Sequence, residues 1–167
     1  MFRAIDDFLR VWEQQSAATA GILDALTDSA LAQRASPGHW SLAQIAWHLV
    51  RTLQWMMGRT GLAVAGPSAD TPVPTGAAAI AEGYRQAARA LAEAVQTGWT
   101  DETLLIEDDM YGETWPRGFT LLVLLIHQAH HRGQMTPLMR QAGLDFPGAC
   151  GPSREEWAQW GMEPPEV

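Results

Sequence analysis

Lysine is missing from these 167 residues, cysteine occurs once, and arginine is outnumbered by acids. Each shortage excludes something. With Cys150 as the sole thiol no intrachain disulfide can form, so an oxidising compartment is not needed and the cytoplasm is the expected location. The longest apolar run, Leu121 to Ile126, falls far short of the ~20 residues of a spanning helix. Met1-Phe2-Arg3-Ala4-Ile5-Asp6-Asp7 lacks a basic segment leading into an apolar one, so no signal peptide is expected. Eleven arginines against nineteen acids leave a formal charge of −8. A duplex-binding surface needs a basic stripe to displace counterions from phosphates, so nucleic acid and anionic membrane are not expected partners.

What the chain does have is helical period. The length predicts one domain over residues 1–167, with a core over about 2–143 and a C-terminal extension over 144–167. Eight tryptophans supply apolar area for a core, an interface or a ligand pocket. A first helix is predicted from about Phe2 to Leu26, with Ile5, Phe8, Trp12, Thr19, Ile22 and Leu26 on one face and a weak middle at Gln14-Gln15-Ser16. The second starts at Ser41, where Gln44 three residues on makes a capping box, Trp40 and Ile45 form the flanking staple, and Leu42, Ile45, Leu49, Leu53 and Met56 make the stripe. A Gly/Ala/Pro-rich connection over 61–75 has the length of a crossover between bundle ends. The third helix spans about Thr75 to Gln96, with Gly98 expected just beyond its end. Leu104-Leu105-Ile106 and Glu113-Thr114-Trp115 are read as a short hairpin. The fourth helix runs from about Gly118 to Gly143, with a kink expected at Pro137. Four amphipathic helices without long strands predict an all-α four-helix bundle.

Five histidines remain to be placed. His127 and His131, four apart, share one face of one helix. That face also carries Thr120, Leu124, Met135 and Leu138, so it points inward. Two neutral imidazoles buried side by side need partners, and one metal ion satisfies both. Such a pair in a helix is more often incidental, but His48 borders the inward stripe of the second helix. A third imidazole there completes a three-histidine site with positions left open for water or substrate. His130 points well away from that face and is read as a surface, packing or interface residue, and His39 is expected in solvent.

Two segments resemble the DinB/YfiT-like superfamily of bacterial proteins. Trp40-Ser41-Leu42-Ala43-Gln44-Ile45-Ala46-Trp47-His48-Leu49 is similar to the family's Trp-Ser helix opening and its His-Leu pair. His127-Gln128-Ala129-His130-His131-Arg132-Gly133-Gln134 is similar to its most recognisable signature, a His followed four residues later by His-Arg-Gly-Gln. The resemblance spans about residues 2 to 143. It implies up-down-down-up connectivity and frequent homodimers. It also implies a divalent metal, zinc or nickel first and iron or manganese next, held by residues matching His48, His127 and His131. Relatives in the superfamily include transferases and isomerases that use low-molecular-weight thiols, so a small-molecule substrate and a thiol cosubstrate are implied. Arg132 is read as one half of a structural ion pair, Gln134 as a polar neighbour of the ligands or a helix-packing polar residue, and Gly133 as room for close helix approach, with a purely architectural part the first reading for all three.

Three neutral imidazoles leave the ion its full charge, which suits ionising water or thiol. A metal-dependent transferase or hydrolase follows. The alternatives are a non-catalytic stress or interaction protein whose ion ties two helices together, or a bundle with three hydrogen-bonded histidines and no metal. No catalytic residue is assigned. Gln44 is a candidate to orient His48, Tyr84, Tyr111 and Glu113 are candidates for the mouth, and Cys150 is read as a loop cysteine.

Overall fold

The computed structural model describes residues 1–166. Its helices are α1 (Ile5–Asp24), α2 (Leu42–Gly58), α3 (Ala77–Gly98) and α4 (Arg117–Gln141), with a two-stranded hairpin, β1 (Glu107–Met110) and β2 (Glu113–Pro116), before the last helix. The predicted faces are the buried ones. Phe8, Ile22, Leu42, Leu49, Leu53, Ile80, Leu91, Leu121, Leu124 and Met135 lie fully inside one apolar cluster drawn from all four helices.

Local chemistry sets the ends. Ser41 accepts the Gln44 amide while the Gln44 side chain accepts the Ser41 amide, so the predicted capping box opens α2. That use of Gln44 takes it away from His48. At the other end of the bundle Gly143 has a positive φ of 75°, and the Leu144 and Gly143 amides return to Met139 and Arg140. These two bonds close α4 with a Schellman motif. Gly98 does not play that part. It is the last residue of α3, and the chain leaves in extended form because Trp99 turns its indole into the core, leaving it 6% exposed.

Contacts between helices fix their directions. Thr60, after α2, accepts Arg117 at the start of α4, and Leu49 accepts Gln128, so α2 and α4 run antiparallel. The Phe2 amide reaches Gly118, and Gln15 accepts Arg132, so α1 and α4 run parallel. Trp12 donates to Ala88 and the Ile5 amide to Asp101, which sets α1 against α3. Gly83 lies beside Trp47 and Gly98 beside Leu62, so α2 and α3 are parallel. The order is up-down-down-up, and the connection between α2 and α3 is the crossover.

The hairpin exists three residues later than predicted in its first strand. Thr103 bonds Thr100 through its hydroxyl and winds Glu102–Leu105 into a 3-10 turn that buries Leu104, so pairing begins at Glu107 opposite Pro116. Tyr111 and Gly112 both have positive φ, 64° and 87°. A two-residue turn matched to strand twist demands this at both positions, and it is uncommon for tyrosine.

Candidate metal centre

His48 comes from the middle of α2, and His127 and His131 from the middle of α4, where the two antiparallel helices face each other. The three Nε2 atoms point at one another. His127 Nε2 is 3.2 Å from His48 Nε2 and 2.9 Å from His131 Nε2. One nitrogen from each ring lies within 4.8 Å of the others. His131 is 7% exposed, and the other two rings are half-buried.

The hydrogen-bond pattern of the rings suits an ion. His131 Nδ1 stands 2.7 Å from Gln134 Oε1, which can only accept, so Nδ1 carries the proton and Nε2 a lone pair. His127 Nε2 touches both neighbours, and its own Nδ1 is buried without a partner. One proton on His127 cannot satisfy both short contacts. A cation that takes a lone pair from each ring satisfies all three. Tetrahedral zinc, with bonds of 2.0–2.1 Å, sets its nitrogens roughly 3.3 Å apart, close to the spacing seen. The donor set therefore fits a divalent ion.

Burial keeps the rings neutral. Removal from water, helped by the neighbouring histidines, pushes His48 and His127 down to about 4, and His131 is lowered mainly by burial. Unfolded histidine takes its proton near 6.5. Between those values the unfolded chain holds more protons, so these groups make the metal-free fold lose stability as pH falls from about 7 towards about 4. Above pH 7 they contribute no slope. Thermal melts of chelator-stripped protein between pH 7 and 5 should follow that trend, with a shallower slope for His48→Gln; equal slopes would mean that residue 48 is not held neutral.

Several neighbours have roles that spacing did not reveal. Trp40 stands against the cluster, its ring centroid 5.0 Å from that of His48 and 6.2 Å from that of His131, and it is half exposed. Gln128, fully buried, accepts from Tyr84 and donates to Leu49 O and Thr52, so it ties α3, α4 and α2 together next to the histidines. Tyr84 thus lies in the core and not at a mouth, and burial raises its pKa. Arg132 forms no ion pair among the described residues. Its guanidinium, 2% exposed, donates to Gln15 O, Gln15 Oε1 and Thr19 Oγ1. That explains the polar middle of α1. Gly133 faces open space and not another helix. His130 and His39 are exposed and stand outside the cluster, as expected. Glu113 bonds the Trp115 indole, and Cys150 is an exposed free thiol.

A cleft of about 1000 Å³ opens beside the cluster, with His48 and Trp40 in its wall. It continues along α2 past Arg51, Trp55 and Arg59 to the start of the crossover.

The profile described as "DinB family" matches residues 1–162. An uncharacterized protein, YrdA, from Bacillus subtilis (strain 168) is 46% identical over 167 residues, all of both chains. A crystal structure of a DinB-like protein from Bacillus cereus ATCC 10987 superposes with a TM-score of 0.85 at 46% identity, covering 89% of this chain and 99% of that one. A second DinB-like structure, YjoA from Bacillus subtilis, has a TM-score of 0.67 at 15% identity, over 86% and 96% of the two chains, a likeness of fold alone.

Proposed function

The chain belongs to the DinB family, and from that premise we propose that it is a divalent-metal protein acting as a thiol-dependent transferase on a small molecule. One observation carries the reading: three imidazole nitrogens converge beside a large cleft, in short contacts that a single cation would satisfy together. When bound, a divalent ion held by neutral imidazoles keeps its charge and acidifies a water or thiol ligand.

The chain's own residues favour thiol over water. Among the described residues no carboxylate lines the cleft, so no side chain there can serve as general base for a water. A thiol ionises far more readily and needs less help. Gln134 fixes His131 with its lone pair turned inward, and Gln128 locks the two helices that carry the ligands. Trp40 screens the imidazoles from solvent on one side. The same reading takes the chain as a homodimer, supported by the partly exposed aromatic pair Trp115 and Phe119.

Cobalt(II) offers the test, since its visible spectrum reports coordination. Chelator-stripped protein should bind one equivalent, and adding 2-mercaptoethanol should bring in a sulfur-to-cobalt charge-transfer band. Cobalt uptake without any response to thiol would point to a closed centre that merely joins two helices.

A further inference from the structure

We propose that the cleft beside the imidazoles binds an organic anion with a planar apolar body, its ring on Trp55 and its acid group on a guanidinium that flanks Trp55, Arg51 or Arg59. That assignment rests on the metal-centred reading, because it places the reactive end of the ligand at His48.

Position comes first. Arg51, Trp55 and Arg59 lie at intervals of four along α2 and its cap, so they form one ridge on one side of the helix. All three line the cleft, as does His48 one turn before the ridge. A ligand lying along α2 therefore meets imidazole, cation, indole and cation in that order. At about 1.5 Å per residue the track from His48 to Arg59 is roughly 16 Å long, the reach of a small organic molecule.

Charge comes second. The chain carries eight more acids than cations, 19 against 11, yet among the described residues no acid lines this cleft. Arg10, Arg85, Arg89, Arg117 and Arg140 each pair with a carboxylate; Arg51 and Arg59 are among the arginines with none within 4 Å among the described residues, and they are the two that line this cleft. Arg51 instead donates to the carbonyl of Ala69 in the crossover. Arg59 lies over the Tyr111 ring, 4.5 Å from its centroid. Both restraints orient a guanidinium without neutralising it. Planar guanidinium forks match carboxylates and phosphates in two-point contact.

The fold also retains one unfavourable backbone conformation. Tyr111 occupies a left-handed backbone position that glycine or asparagine would fill at lower energy. From there its ring covers Arg59 and meets Trp55, with centroids 5.3 Å apart. Trp55 itself is 53% exposed. An aromatic held out to solvent between two unneutralised cations is a surface for a flat anion.

2-Naphthoate is the probe, with 2-naphthalenemethanol as its uncharged match, titrated calorimetrically into chelator-stripped protein. The acid should bind at least about tenfold more tightly than the alcohol, the size of a charge-assisted hydrogen bond. Arg51→Gln with Arg59→Gln should abolish that preference, and the paired lysine variant should restore part of it. Trp55→Ala should weaken both probes alike. All three side chains stand at the cleft surface, so circular dichroism should match the wild type. No binding of either probe at millimolar concentration, or a preference that survives the double glutamine variant, would overturn the proposal. Elemental analysis keeps the two readings apart. A chain that holds metal but shows no acid preference refutes the anion site alone. One that prefers the acid but never holds metal refutes the centre alone.

Discussion

Replacing His127 or His131 with alanine should reduce divalent metal from about one ion per chain to none, measured by elemental analysis of purified protein. The expectation follows from the ligand count. Three nitrogens at 3.2 and 2.9 Å leave no spare donor to take over when one is lost. No carboxylate or thiol joins the cluster among the described residues. Removing one of three ligands costs orders of magnitude in affinity, which carries the site below the concentrations that survive purification. His130→Ala is the control, since its ring stands beside His131 but outside the converging nitrogens. Metal loss from that control with retention in His131→Ala would reverse the assignment of the adjacent pair.

Arg132→Ala should be the most destabilising substitution away from the centre, by about 3 kcal/mol. The side chain is among the largest fully enclosed ones, and its removal opens a cavity. It also leaves Gln15 without the guanidinium that spans from α4 to α1. For a chain of this size that loss corresponds to roughly 6 to 12 °C in Tm, measurable by calorimetry on metal-free protein. Arg132→Met should lose less, because it keeps much of the volume and removes a buried charge that has no carboxylate beside it. Arg132→Lys should recover little, since an ammonium lacks the second nitrogen that meets Gln15 Oε1. If all three variants melt with the wild type, the bridge contributes nothing.

Period and capping made the bundle legible. The stripe of α2, its capping box and the closing glycine of α4 all sit where local rules put them. The histidines were legible for the same reason: a spacing of four assigns a face, and the face assigns an interior. Which interior neighbours they meet was not. Gln44 had two uses open to it, and the helix start won because its partner amide is only three residues away. Arg132 suggested a carboxylate partner, but parallel packing of α1 against α4 presents Gln15 and Thr19. Trp40 looked like a staple flanking the helix, yet its ring lies along the imidazoles. Spacing along one helix cannot tell which element crosses above it. Gln128 and Tyr84 carry no signal of their partnership, since 44 residues separate them and neither stands in a periodic pattern with the other.

Up-down-down-up connectivity has a consequence for biosynthesis. His48 and His127 lie 79 residues apart, and the helix bearing the other two ligands is the last long one to be made. A growing chain exposes His48 well before its counterparts leave the ribosome, so no partial product can sequester an ion at full affinity. Capture of an ion would have to await the arrival of α4, and a bound ion would then stabilise only those molecules in which that final helix has docked.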